Sequence, residues 1–231
     1  MKGKIPILVG TGTINPNSVR EQTLQAMDLG CDAALVVTPY YVKPPQRGLI
    51  KHFTDTADIG LPVILYNVPG RTGVDLLPDT IAICANEHEN IIGVKEATGD
   101  ISRVQKIKDA LSKTGCSKDF LLYSGDDGTT ADFVLSGGDG CISVTANVAA
   151  KQVHDVIMAA LDGNVEKVNE LNNPLMKLHE NLFVESNPIP AKWATRRLGL
   201  MEYGAIRPPM VEMEEKHIPL LEESLLAAGL L

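Results

Sequence analysis

The amino-acid sequence predicts an α/β protein built on a parallel sheet and followed by a helical C-terminal part. Six short apolar runs recur within the first 144 residues, and the first five begin 28 or 29 residues apart. This interval holds a strand, a loop and a crossover helix, and unbroken apolar strands are typical of parallel sheets covered on both faces. From Ala149 onwards only helix-type patterns follow. The predicted strands are residues 5–9, 33–37, 62–66, 91–95, 120–123 and 140–144.

The segments between these strands carry the signals that start and stop helices. Val19, Leu24 and Met27 form an apolar stripe that ends before Gly30, and Asp100 is placed to cap the helix that follows it. The predicted helices are residues 18–29, a segment from about 45 to 58, 101–112, a shorter connector at 128–135, and then 151–161, 165–182, 190–198 and 216–228.

Composition restricts the classes of partner. The 231 residues carry a formal net charge of −8, and no run of lysine and arginine offers a surface for a nucleic acid. Four cysteines lie far apart without a C-x-x-C pair, and no histidine pair has the H-E-x-x-H spacing, so neither a disulfide framework nor a metal site is expected. No apolar run is long enough for a membrane span. We therefore expect a cytoplasmic protein that acts on small molecules.

Six strand-helix units leave two architectures open. A barrel of the (β/α)8 type needs eight strands to close, and an arc of six would expose two apolar edges. The alternative is an open, doubly wound sheet, but Gly10-Thr11-Gly12 is followed by residues that break the dinucleotide-binding fingerprint. The first strand also begins almost at Met1, which favours a barrel without its first two units and a gene product that is longer than this chain.

Lys95 is the first candidate for chemistry, because it lies at the polar end of the apolar run from Ile91 to Gly99. Lysine is rarely buried, since desolvation penalises the ammonium group. One interpretation is a side chain that extends from the strand end into solvent. The other is a catalytic amine whose pKa, about 10.4 when free, is lowered by burial until the amine can attack a carbonyl. The run itself leaves both open.

Neighbouring strand ends supply further candidates, because the carboxyl edge of a parallel sheet builds the active site. Tyr66 ends the strand before that of Lys95, so a phenol able to pass a proton can lie beside the amine. Arg71 lies in a Pro-Gly turn, where its guanidinium can bind a carboxylate through two hydrogen bonds, although a solvated surface charge is the alternative. Glu96 should point to the opposite face of the strand and is not expected to be the base.

Six segments that run through nearly the whole chain match the motifs of a known family. They are Val37-Thr-Pro-Tyr-Tyr41, Leu65-Tyr-Asn-Val-Pro-Gly-Arg-Thr-Gly73, Gly93-Val-Lys-Glu-Ala-Thr-Gly99, Ser124-Gly-Asp-Asp127, Ile142-Ser-Val-Thr-Ala-Asn-Val148 and Asn187-Pro-Ile-Pro-Ala-Lys-Trp193. Through these segments the chain resembles the dihydrodipicolinate synthases, which belong to the pyruvate-dependent class I aldolases together with N-acetylneuraminate lyase.

The resemblance implies a fold and a reaction. The fold is a TIM (β/α)8 barrel lacking its first two βα units, with strands three to eight in residues 1–163 and a helical domain in residues 164–231, working as a homotetramer. The reaction condenses pyruvate with L-aspartate 4-semialdehyde through a lysine Schiff base, without a metal or other cofactor, and gives 4-hydroxy-tetrahydrodipicolinate for lysine (diaminopimelate) biosynthesis.

Site roles follow from the same resemblance. Lys95 would form the Schiff base, Tyr66 would give and take protons, and Tyr41 would relay protons from a neighbouring subunit. Arg71 would hold the carboxylate of the semialdehyde. The remaining implied positions are Gly125 and Ile142, which would line the pyruvate pocket, and Tyr40, which would lie at the dimer interface where regulated members bind lysine.

The sequence departs from the family in one segment. The first two βα units, with their Gly-Thr-Thr-Gly-Glu segment that supplies two threonines of the site, are absent. Two alternative functions therefore stay open, a related aldolase of the N-acetylneuraminate lyase type and a catalytically impaired paralogue. Arg71 favours the synthase, because a sugar-acid lyase would not need an arginine in that turn to bind a short carboxylated aldehyde.

Overall fold

A computed structural model describes residues 5–116, 119–202 and 206–231 of the chain. The chain forms two compact units, Met1–Asp126 and Asp127–Leu231. This division lies before residue 163, where the family resemblance places the end of the barrel. The boundary at residue 163 stays a prediction.

The first unit contains a parallel sheet of five strands in the order β1-β2-β3-β4-β5, which confirms the predicted class. The observed strands lie within three residues of the predicted ones. Proline explains one shift, because β3 begins just after Pro62, which has no N–H group for the ladder. The strands are β1 (Leu8–Gly10), β2 (Ala33–Val37), β3 (Val63–Asn67), β4 (Ile91–Glu96) and β5 (Leu121–Ser124).

Five helices of the first unit follow the strand ends. They are α1 (Pro16–Asp28), α2 (Gln46–Ala57), α3 (Pro69–Thr72), α4 (Pro78–Glu87) and α5 (Ser102–Thr114). The longer ones pack side by side in chain order, α1 on α2, α2 on α4 and α4 on α5. Asp100 accepts a hydrogen bond from the N–H of Ser102 at 3.0 Å, next to the start predicted for α5. Neither α3 nor α4 was predicted, although Pro78 at the start of α4 is a typical first-turn residue.

Close packing between β4 and β5 depends on a glycine. A Cβ atom on Gly93 would lie 2.6 Å from the carbonyl oxygen of Leu121 and 2.8 Å from its Cβ. Only a residue without a side chain allows the two strands to approach this closely. The core beneath is apolar, and Ile91, Val94 and Leu122 are each at most 1% exposed.

The second unit is mainly helical, as predicted, and its described residues contain no strand after β6. Its elements are α6 (Thr130–Leu135), β6 (Gly140–Cys141), α7 (Ala150–Leu161), α8 (Val165–Asn172), α9 (Met176–Asn181), α10 (Ile189–Arg197) and α11 (Ile218–Ala227). The single helix predicted for residues 165–182 was wrong. Pro174 lies in a 3₁₀ turn, Asn173–Leu175, that separates α8 from α9, because proline lacks the N–H group that a continuous helix needs.

The core of the second unit is a cluster of apolar side chains from several of these helices. Its most deeply buried members include Leu178, Leu182, Leu221 and Leu225, each 0% exposed. They belong to or adjoin α9 and α11, so these two helices pack against each other through their leucines. A buried Asp127 carboxylate accepts hydrogen bonds from the N–H groups of residues 144 and 145, which fixes the loop after β6.

Two further features concern single helices. Across the described ranges, no helix is long and apolar enough to cross a membrane. In α4 the thiol of Cys84 is 0% exposed. Burial, together with the nearby Glu87 carboxylate, raises the pKa of this thiol to about 12.

Candidate active site

A cavity of about 350 Å³ opens among the carboxyl ends of β1, β2 and β3 in the first unit. Side chains from these ends and from α3 line it, so it lies where parallel α/β proteins bind small ligands. The lining residues are Gly10, Gly12, Leu35, Val37, Tyr40, Tyr66, Val68, Arg71 and Thr72.

Lys95 and Tyr66 meet beside this cavity, as the sequence predicts. The two residues are direct partners in the register of β3 and β4, so their side chains project from the same face of the sheet. The Nζ atom of Lys95 lies 4.4 Å from the centre of the Tyr66 ring. This is the geometry of a cation–π contact, and it keeps an amine within reach of a phenol.

The surroundings of Tyr66 favour the protonated phenol. Burial raises the pKa of the phenol above its usual 10.0, and the positive charge of Arg71 partly opposes this rise. The hydroxyl is therefore protonated at neutral pH. A protonated phenol next to an amine can donate a proton to a reacting oxygen and take it back later.

Arg71 is held by a short helical turn. Its N–H donates to the carbonyl of Val68 at 2.9 Å, Pro69 fixes the start of α3, and Gly73 closes the turn with a φ of 75°. The side chain is exposed and lines the cavity. A guanidinium in this place can bind a carboxylate of a small molecule through paired hydrogen bonds.

Gly125 follows β5 and lies against the lysine. A Cβ atom there would come within 2.6 Å of Cε of Lys95 and 2.7 Å of Cβ of Ala97. Its N–H donates to the carbonyl of Glu96 at 2.8 Å, which fixes the backbone at this close distance. The absence of a side chain at Gly125 is what leaves room for the Lys95 methylene chain.

The two tyrosines that follow β2 differ in their surroundings. Tyr40 lines the cavity, and its hydroxyl lies 3.1 Å from Oγ1 of Thr13. Tyr41 is 86% exposed and has a φ of 70°, a conformation that tyrosine rarely adopts. Ile142, the last predicted member of the site, is half-buried directly after β6 in the second unit.

One part of the site was not predicted. Asn67 and Glu96, which directly follow Tyr66 and Lys95, are both buried. The Glu96 carboxylate accepts hydrogen bonds from Nδ2 of Asn67 and from Nε of Arg103 of α5. The prediction that Glu96 points away from the amine is consistent with these contacts, but its partners were not foreseen. The signal available in the sequence was an arginine among the apolar positions of α5.

The metal-binding possibilities are limited. Within residues 5–116, 119–202 and 206–231, no three side chains of histidine, cysteine, aspartate or glutamate gather where they could hold a metal ion. The polar groups that line the cavity include the phenols of Tyr40 and Tyr66 and the guanidinium of Arg71, and the amine of Lys95 lies beside them. These groups suit carbonyl and carboxylate chemistry rather than metal coordination.

The fold and the cavity together define a class, the α/β proteins whose ligand site is built at the carboxyl edge of a parallel sheet. Comparison with known proteins narrows this class to one family. Residues 1–228 match the model of the dihydrodipicolinate synthetase family. The chain belongs to this family.

Individual relatives are similar over almost the whole chain. The 4-hydroxy-tetrahydrodipicolinate synthase of Alcanivorax borkumensis is 48% identical over 231 residues, which cover 100% of this chain and 76% of that protein. The chloride-inhibited dihydrodipicolinate synthase of Acinetobacter baumannii, crystallised in complex with pyruvate, superposes with a TM-score of 0.92 at 46% identity and covers 99% of this chain and 77% of its own. The enzyme of Thermotoga maritima gives a TM-score of 0.93 at 41% identity, with the same coverage.

Proposed function

We propose that the protein is a lyase that condenses pyruvate with L-aspartate 4-semialdehyde to give 4-hydroxy-tetrahydrodipicolinate in lysine (diaminopimelate) biosynthesis. The names of relatives 47% and 48% identical to this chain support this function. The observation that carries it is the meeting of Lys95 and Tyr66, with 4.4 Å between Nζ and the ring centre, beside a cavity that Arg71 lines.

The proposed chemistry uses the amine as a nucleophile. Lys95 attacks the keto carbon of pyruvate, water leaves, and an imine forms. Loss of a methyl proton turns the imine into an enamine, whose carbon then bonds to the aldehyde carbon of the semialdehyde. The adduct cyclises and releases the lysine. The protonated imine itself withdraws electrons, so we propose that no metal or other cofactor takes part.

Tyr66 and Arg71 have separate roles in this proposal. The phenol of Tyr66 gives a proton to the oxygen that leaves as water and later accepts one, which its raised pKa supports. The guanidinium of Arg71 binds the carboxylate of the semialdehyde and aligns its aldehyde group for attack. Gly125 and Ile142 are proposed to line the pyruvate site.

The finer architecture is also a proposal. We propose that the parallel strands belong to a (β/α)8 barrel of which this chain carries units three to eight, with a helical domain after residue 163. The relatives, of which the chain covers 76% or 77%, support this assignment. We further propose a homotetramer in which Tyr41 reaches a neighbouring subunit and Tyr40 lies at the interface, and sedimentation at several concentrations will test the tetramer.

The proposed reaction is tested by substrate preference. The purified chain should consume pyruvate together with aspartate semialdehyde and should show no comparable cleavage of N-acetylneuraminate. Arg71→Met should lose most of the condensation activity, while Arg20→Met, which removes an exposed arginine from α1, should retain it. Preferential cleavage of N-acetylneuraminate would refute the proposal in favour of the related lyases.

The role of Lys95 is tested by covalent trapping. Borohydride reduces an imine to a stable amine, so treatment with pyruvate should attach the substrate to Lys95, as seen by peptide mass spectrometry. A Lys95→Ala variant should not be labelled, whereas Lys106→Ala, which removes an exposed lysine of α5, should be labelled like the wild type. An unlabelled wild-type chain would instead support the catalytically impaired paralogue.

A further inference from the structure

A buried polar cluster lies directly behind Tyr66 and Lys95, and the proposed reaction does not use it. We call Asn67, Glu96 and Arg103 the carboxylate cluster. They are 0%, 2% and 7% exposed, respectively. Charged and amide groups this deep in a protein need a reason, because burial without full hydrogen bonding is costly.

Glu96 is the centre of this cluster. Its Oε1 atom accepts hydrogen bonds from Nδ2 of Asn67 at 3.2 Å and from the N–H of Thr98 at 2.9 Å. Its Oε2 atom accepts from Nδ2 of Asn67 at 3.1 Å and from Nε of Arg103 at 2.9 Å. Both carboxylate oxygens are therefore held in place from two sides.

The partners of Glu96 are anchored in turn. Nδ2 of Asn67 also donates to Oδ1 of Asp75 at 2.8 Å, and its Oδ1 atom accepts from the N–H of Leu76 at 2.9 Å. Arg103 donates to Oδ2 of Asp75 at 2.9 Å and to the carbonyl of Leu76. The cluster thus joins the ends of β3 and β4, the loop before α4, and the first turn of α5.

The cluster is in register with the proposed catalytic pair. Asn67 follows Tyr66 and Glu96 follows Lys95, and the sheet pairs Tyr66 with Lys95 and Asn67 with Glu96. Successive side chains of a strand point to opposite faces. The ends of β3 and β4 therefore carry Tyr66 and Lys95 on one face of the sheet and Asn67 and Glu96 on the other. Because these residues are adjacent in the chain, a shift of the cluster moves Tyr66 and Lys95.

Stability alone does not account for this arrangement. Two carboxylates, those of Glu96 and Asp75, share one guanidinium, and burial raises the pKa of Glu96 against the opposing effects of Arg103, Asn67 and Thr98. Apolar residues of the same size often stabilise a core as well as a buried ion pair does. What an apolar core does not supply is a set of directional bonds that fixes two strand ends to within a fraction of an ångström.

We propose that Glu96, held by Asn67 and Arg103, is a positioning residue that fixes Lys95 over the Tyr66 ring. This inference rests on the proposed function, in which Lys95 and Tyr66 react with pyruvate. Glu96 does not touch the substrate. It acts through the backbone of β4 and through the pairing of β3 with β4.

The test measures position and rate separately. The Lys95 ε-methylene resonance, assigned from a Lys95→Arg variant, should carry an upfield ring-current shift from Tyr66 that is absent in Tyr66→Leu. In Glu96→Ala this shift should shrink, and the maximal rate of borohydride trapping should fall about 10-fold to 100-fold, with little change in the half-saturating pyruvate concentration. Glu96→Gln keeps the size and one acceptor and should recover most of the lost rate.

A matched control separates positioning from general stability. Thr23 of α1 is 0% exposed, and its hydroxyl donates to Oγ1 of Thr11 at 2.9 Å, so Thr23→Val also removes a buried hydrogen bond from the first unit. This variant should lose stability but keep both the resonance and the maximal trapping rate. A loss of both in Thr23→Val as large as in Glu96→Ala would overturn the inference.

The outcomes distinguish the two proposals. If the wild-type chain traps no pyruvate, the proposed function is contradicted. The ring-current shift of the Lys95 resonance in Glu96→Ala then tests by itself whether Glu96 positions Lys95. An unchanged resonance and rate in Glu96→Ala contradicts the inference, whatever the fate of the function. Should Glu96→Ala fail to fold, Asn67→Ala replaces it, and wild-type values for both measurements in Asn67→Ala would then reject the role of the cluster.

Discussion

Two opposing influences act on the pKa of Tyr66. Burial favours the neutral phenol, and the charge of Arg71 favours the phenolate, with burial the larger effect. Proton donation at neutral pH needs the neutral form. The charge of Arg71 therefore leaves the phenol a stronger acid than burial alone would make it.

The ionisation of Tyr66 can be followed directly. The tyrosinate absorbance of the wild type minus that of Tyr66→Phe isolates one of the five tyrosines. Its midpoint should lie above pH 10.0. In Arg71→Met the midpoint should move higher still, because a nearby positive charge has gone, while Arg20→Met should leave it unchanged. A midpoint at or below 10.0 in the wild type would contradict the role of burial.

Gly125 gives a second prediction at a single residue. In Gly125→Ala the new methyl group would lie 2.6 Å from Cε of Lys95, so the lysine must leave its place over the Tyr66 ring. Trapping of pyruvate should fall by a factor of about 100, as expected for a reacting group displaced by about 1 Å. The measurement is the borohydride trapping rate at saturating pyruvate.

The control for this change is another glycine-to-alanine substitution. A Cβ atom on Gly48 in α2 makes only ordinary contacts, with its nearest atoms 3.5 Å away in Pro44 and Pro45. Gly48→Ala should keep the trapping rate and raise the free energy of unfolding by about 0.5–1 kcal/mol, since glycine weakens a helix. Equal rates in the two alanine variants would show that the space beside Lys95 is not needed.

At the scale of elements, α5 and the sheet are joined through Glu96, and this link depends on pH. Burial raises the folded-state pKa of Glu96 above its usual 4.5. Between the unfolded and folded values, the folded chain binds more protons at this site than the unfolded chain does. The contribution of Glu96 to stability is therefore fully present below the unfolded pKa and is lost as pH rises through the raised folded value.

Urea unfolding across the acidic to neutral range will check this sign. The free energy of unfolding of the wild type, taken relative to Glu96→Gln, should fall as pH rises above 4.5 and then level off beyond the raised pKa. The Thr23→Val variant should differ from the wild type by a constant amount, because it titrates no group. A wild-type advantage over Glu96→Gln that grows with pH would show that Arg103 and the other donors outweigh burial.

The helices and strands also show which sequence signals are sufficient to predict an element. Parallel strands were predicted well because each is a continuous apolar run between polar residues, and β2 matches its prediction at both ends. The α4 helix was missed, since its ten residues carry a short apolar stripe without a capping side chain. The break at Pro174 was overlooked because the apolar spacing continues on both sides of it.

At the scale of the whole molecule, the site was predictable to the extent that it is built from strand ends. Tyr66 and Lys95 each end a predicted strand, which was enough to expect them side by side, and the structure brings them together. The bonds from Arg103 to Glu96 and Asp75 depend on how α5 and the loop before α4 pack on the sheet. No local pattern encodes such packing, so the carboxylate cluster required the structure.

The buried Cys84 thiol allows the opening of the folded structure to be measured. Cys84 is inaccessible in the folded state, and a thiol with a pKa of about 12 carries almost no reactive thiolate at neutral pH. A maleimide pulse should therefore modify Cys31 and Cys116, which are partly exposed, long before Cys84. Labelling of Cys84, read by mass spectrometry, should report each opening of the helical layer that covers the sheet, and its rate should rise with urea. Rapid labelling of Cys84 without denaturant would mean that this layer opens readily under native conditions.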